Sequence, residues 1–136
     1  MSIMTAFLED RFRDNQVDNK YALHFITQKI IHCVVKVDFM DIEVAQKCSS
    51  SRLLLQSGKK MPVFTDARNL EKVTNEARVY GASKEVGDSM IAHAIFIDGR
   101  ADTFLMNIFL KINKPVIPTK FFTNKELAIE WLKTFL

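Results

Sequence analysis

The side chains best suited to chemistry in this chain are two carboxylates that close apolar runs, three histidines and two cysteines. Asp66 ends the run MPVFTD and Asp98 ends IAHAIFID. If those runs are neighbouring parallel strands, both carboxylates sit on the rim where open parallel sheets bind ligands, beyond the carboxyl ends of the strands. Arg68 and Arg78 follow closely enough in sequence to act as cationic partners. Two carboxylates divide acid and base work only when their environments split their pKa values. Nothing in the surrounding residues does this visibly, so the plainer role is expected: Asp66 braces its own loop through Arg68 or Arg78.

His24 and His32 fall on two β-branched and aromatic runs joined by a very short connection, which makes them possible neighbours. Strand side chains alternate, so Cys33 faces away from His32, and a metal site would lack its further ligands. His93 lies within the most apolar run and is expected to be a hydrogen-bonded core histidine. Cys33 and Cys48 have neither metal spacing nor a C-x-x-C partner. Free buried thiols suit a reducing, cytoplasmic setting. The nucleophile elbow, phosphate-binding loop and dinucleotide fingerprint are all absent from the sequence. The expectation is therefore a non-enzymatic protein with no cofactor and no metal.

The elements that must position these groups follow from pattern. At 136 residues, 48% hydrophobic and 26% charged, the chain has the size and composition of one globular domain. Its net charge of +3 is spread along the chain, so no nucleic-acid surface is expected; Lys111, Lys114, Lys120 and Lys125 read as a solvated rim. No run approaches the ~18 apolar residues of a membrane span, and the N-terminal stretch meets Glu9 and Asp10 too early for a leader. Residues 1–20 read as an arm or edge strand and 21–136 as the domain. YALHFIT and IIHCVVKV, separated by Gln28-Lys29, predict an antiparallel hairpin of unresolved turn type. Asp41 caps a helix that stops at Gly58, and MPVFTD is a buried strand. Residues 67–75 form a loop. Thr74 or Asn75 caps a short helix and Ser83 a second; IAHAIFID is the central strand. VIPTKFF is the last strand, where Pro118 argues for an edge or a bulge, and Thr123 with Glu126 forms a capping box before a final amphipathic helix. Strands alternating with helices give an α/β fold: a mixed, mainly parallel central sheet of about five strands with an N-terminal antiparallel hairpin and helices packed on it.

Between the last two strands, Phe104, Leu105, Ile108 and Phe109 lie at helical spacing and make that helix apolar on more than one face. Self-association as a homodimer through the Phe104–Ile112 helix is expected, and a regulatory protein partner is possible. The alternative is a groove for a small apolar or anionic ligand between this helix and the strand ends.

The order of elements, with PVFTD leading into a loop and a short helix, resembles the STAS domain of anti-sigma-factor antagonists and sulfate-transporter C-terminal domains. The C-terminal half is similar to a group of small uncharacterised bacterial proteins of that superfamily. The matches are Pro62-Val63 with Asp66, Glu76-Ala77-Arg78 with Tyr80, Asn107 to Pro115, and Ala128 with Trp131-Leu132. The resemblance implies a STAS-like fold and an interaction or regulatory role, with Asp66, Arg68, Thr74, Glu76, Arg78 and Asp98 as the ligand or partner loop. Antagonists of this kind carry a phosphorylatable serine at the helix start. Here Glu76 stands about where it would be, and Thr74 is the nearby hydroxyl. Related superfamilies of similar fold bind lipid-like molecules, which is the analogy behind the groove.

Overall fold

The computed structural model describes residues 11–13, 15–99, 106–107, 110–111 and 114–136. Within these residues an antiparallel meander opens the chain, formed by β1 (Arg11–Arg13), β2 (Gln16–Asp18), β3 (Ala22–Thr27) and β4 (Ile30–Val35). Strands β6 (Met61–Asp66), β8 (Met90–Phe96) and β9 (Thr119–Phe122) then add in parallel to β4. The result is one mixed sheet in the order β1-β2-β3-β4-β6-β8-β9. It has seven strands rather than about five, because part of the segment read as an arm or edge strand supplies β1 and β2. A separate parallel ribbon pairs β5 (Phe39–Met40) with β7 (Lys72–Val73), so the stretch 67–75 is not loop throughout.

Local chemistry accounts for the element ends. Gln28 and Lys29 both take positive φ, 54° and 65°, which is the primed turn a two-residue hairpin needs even though neither residue favours it. Helix α1 (Ile42–Gln56) starts where Asp41 accepts a hydrogen bond from Val44 N and ends at Ser57 in the left-handed region, with Gly58 following at φ 81°. Thr74 caps α2 (Asn75–Gly81) and Ser83 caps α3 (Lys84–Gly87). The last helix, α4 (Lys125–Lys133), is capped by Asn124, which accepts from Leu127 N; the expected cap at Thr123 is one residue early. Residues 106–107 and 110–111 are helical. Phe104, Leu105, Ile108 and Phe109, the expected interface or groove, lie outside the described residues. No helix among the described residues is long and apolar enough to cross a membrane.

The sheet separates two unlike layers. On one face Ala128 and Leu132 of α4 seal Ile30, Phe64, Ala92, Ala94 and Phe96, and Trp131 packs at 5.6 Å from the Phe122 ring and 5.0 Å from that of Phe135. On the other face Ile31, Cys33, Met61, Val63, Val86 and Met90 form a second cluster, edged by Leu55, Tyr80 and Ile117. There α1 presents no apolar stripe to the sheet: its buried residues are Ala45, Ser51, Arg52 and Gln56, while Leu53 and Leu54 are exposed.

The strained hairpin turn is open to improvement. Replacing Gln28-Lys29 by Asn-Gly is expected to raise the unfolding free energy by about 1 kcal/mol, since Asn and Gly tolerate the left-handed region that other L-residues resist. Gln28→Val is expected to lower it by a similar amount. Urea denaturation of both variants against the parent chain checks the sign.

Candidate functional site

Asp66 stands at the end of a strand neighbouring the one that leads to Asp98, and it forms a brace with Arg68. Asp66 ends β6 opposite Phe96 of the neighbouring parallel β8, and Asp98 follows two residues beyond Phe96. Arg68 takes both oxygens of Asp66, with Nε on Oδ1 at 3.0 Å and Nη2 on Oδ2 at 2.8 Å, and its backbone N also donates to Oδ1. The guanidinium lies 4.5 Å from the Phe96 ring centroid. Burial alone would raise the Asp66 pKa, but the Arg68 hydrogen bonds and charge, with Lys125 behind them, hold it below the usual carboxylate value. Thr74 is occupied as a helix cap, Glu76 is exposed to solvent, and Arg78 donates to the Val73 carbonyl at 3.0 Å. Among the described residues no hydrogen bond or ion pair joins Thr74, Glu76 or Arg78 to Asp66 or Arg68.

The more distinctive site lies under α1. A cavity of about 140 Å³ opens between that helix, α2 and the second face of the sheet. The strand registers place His24 opposite Cys33 and Phe25 opposite His32. His24 and His32 therefore face opposite sides of the sheet and do not pair, because their positions differ by one step in a two-residue period. His32 stacks on Phe25 at 4.6 Å and tilts against Phe64, on the α4 side. His24 and Cys33 share the cavity side with Thr65 and His93, and α1 and α2 bring Cys48, Arg52 and Tyr80 to the same space.

Hydrogen bonding there is uneven. His93 Nε2 lies 2.7 Å from Thr65 Oγ1, which makes it the satisfied core histidine its apolar run implies. Arg52 Nη1 donates to Gln56 Oε1 and to Ser89 Oγ at 2.9 Å, and Gln56 Nε2 donates to the carbonyls of Lys59 and Ser89 at 2.8 Å each. Yet both ring nitrogens of His24, which is 1% exposed, and Nη2 of Arg52, which is 3% exposed, have no partner at bonding geometry. Burial, then the Arg52 charge, lowers the pKa of His24 to about 4 and that of His93 to about 3; at His24 the approach of the Cys48 backbone and then the Asp18 charge oppose the drop. Burial pushes the Cys33 thiol up to about 12 and the Cys48 thiol to about 11. Both thiols are free. Among the described residues no three His, Cys, Asp or Glu side chains converge on a metal-sized site. Among the described residues the arrangement is a mostly apolar chamber with neutral imidazoles, protonated thiols and one cation.

Sequence reasoning passes over this chamber because it depends on register. Only the pairing of His24 with Cys33 and of Val63 with His93 puts these residues on one face. One signal is present in the chain itself: Ala45, Cys48, Arg52 and Gln56 recur at helical spacing in α1, an inward stripe of small and polar residues where apolar ones would normally stand.

The chain belongs to the family described as Domain of unknown function (DUF7793), whose model matches residues 24–136. No curated protein matches it. Among solved structures it is similar to an uncharacterized protein from the DUF3478 family with a SpoIIAA-like fold from Shewanella loihica PV-4. The two share 18% sequence identity over 82% of this chain and 91% of the other, with a TM-score of 0.59. The STAS-like fold implied by the sequence motifs is therefore the fold found, and at this identity the likeness concerns fold alone.

Three buried neutral histidines make the domain acid-sensitive. His32 is also lowered to about 4, by burial and then by Lys125. All three bind protons more weakly folded than unfolded, so stability is complete above pH 6.5 and falls as pH drops from there toward about 4. A pKa that differs by one between the folded and unfolded chain is worth about 1.4 kcal/mol, so a loss of several kcal/mol is expected in urea unfolding series across that window. His32→Phe, whose ring would keep the stack on Phe25, should remove one of the three contributions. A flat profile in the parent chain would contradict the burial described.

Proposed function

We propose that this domain is a non-enzymatic binding module that takes up a small molecule in the chamber between α1, α2 and the sheet. The observation that supports it is a mostly apolar space bordered by buried polar atoms that have no hydrogen-bond partner. Native interiors leave few buried polar atoms without partners, and cavities that stay empty are apolar ones. Here a 140 Å³ space is flanked by His24 and Arg52, which together carry three such atoms. A non-catalytic role agrees with the state of the reactive groups. The thiols are protonated, the histidines titrate far below neutrality, and Asp66 is clamped by Arg68. None of them is poised near pH 7 for proton transfer or nucleophilic attack. The proposed site differs from the strand-end groove that the sequence pattern implies.

Occupancy can be tested by filling the space. Neutral fragments of about six heavy atoms, the size admitted by a dry cavity of ~150 Å³, are expected to bind saturably in ligand-observed NMR. Ala45 and Ala77 both line the chamber. Ala45→Leu and Ala77→Leu, made separately and checked for an intact fold by amide spectra, are each expected to abolish that binding. Binding that survives both substitutions would place the ligand elsewhere and end the proposal.

A further inference from the structure

Resting on the uptake reading above, the chemistry of the wall bears on what the chamber selects. Among the described residues that line it, Arg52 is the one charged side chain, and neither Asp nor Glu is present there. Its Nη1 is held by two neutral oxygens, Gln56 Oε1 and Ser89 Oγ, and its Nη2 faces no acceptor. A guanidinium removed from water without a counter-ion costs several kcal/mol. The groups whose negative charge would favour Arg52 are the Cys33 thiol and the Tyr80 hydroxyl, not carboxylates, and Cys33 is held protonated by burial.

We propose that the chamber binds a small organic monoanion, a carboxylate on a short apolar body, with Arg52 as its counter-ion. Size sets the upper limit, since 140 Å³ accommodates about as many heavy atoms as benzene has. Val35, Val63, Val86 and Met90 provide the apolar part of the wall. A single guanidinium matches one negative charge, and its free Nη2 can complete a charge-assisted bond, which is about twice as strong as a neutral one. A neutral imidazole keeps one N–H donor, so His24 can supply a further bond to the same oxyanion.

The test compares isobutyrate with isobutyramide, which match in shape and differ in charge, titrated at pH 7 into the intact chain. The readouts are amide spectra and the Arg52 Nε–Hε resonance. Isobutyrate is expected to bind at least about tenfold more tightly, consistent with a charge-assisted hydrogen bond, and to shift the Arg52 resonance. Arg52→Lys should keep part of the preference and Arg52→Gln should lose it. If the substitutions unfold the chain, the preference in the unmodified protein still decides the matter. Equal binding, or a preference for the amide, overturns the anion proposal and leaves the chamber intact as a binding site. Failure of both probes at tens of millimolar overturns both.

Discussion

Helix α1 is fastened to the sheet by hydrogen bonds rather than by an apolar face, and much of the domain's character follows from that. Arg52 and Gln56, one turn apart, reach Ser89 together, and Gln56 adds the Lys59 carbonyl. These contacts tie the helix at its C-terminal end to the segments that lead into β6 and β8. Toward the N-terminal end, Ala45 and Cys48 are too small to fill the distance to the sheet. A helix packed by large apolar side chains would close down on the strands until no gap remained. A helix pinned by a polar network stands off and leaves one.

The two faces of the sheet are consequently different materials. Beneath α4 the core is aromatic and aliphatic, with Phe64 and Leu132 almost wholly enclosed and Trp131 locked between Phe122 and Phe135. Beneath α1 it is hollow and partly polar. The dense layer can carry most of the folding energy, which scales with apolar area removed from water. That frees the other layer to hold groups, such as an unneutralised guanidinium, that weaken the fold where they stand. Native structures tolerate such groups where they serve a site.

How much of this is legible in the sequence depends on whether the deciding signal is local. The caps at Asp41, Thr74 and Ser83 and the parallel strands leading to Asp66 and Asp98 can be read from short windows, and each is present. The brace of Asp66 by Arg68 is also readable, being an interaction two residues long. Strands β1 and β2 are not, because three-residue antiparallel strands have too few alternations to declare a period. The apolar residues of β3 mislead about which side turns inward: Leu23 and Phe25 are only partly buried while Ala22 and His24 are fully buried. That choice is made by where α1 lands, and so is the chamber, which needs four strands in register and one helix rotated correctly above them.

The order in which the sheet is assembled from chain also has a kinetic reading. Strands β1 to β4 are consecutive and joined by short turns, so their pairing closes small loops. Each parallel addition instead waits for a crossover of many residues to be ordered, a larger entropic barrier. The meander is thus the segment that can form first, and its inner edge, β4, becomes the template that receives the rest of the sheet. Because β3 and β4 carry Ala22, His24, Cys33 and Val35 into the chamber, that part of its wall belongs to the segment that can form first.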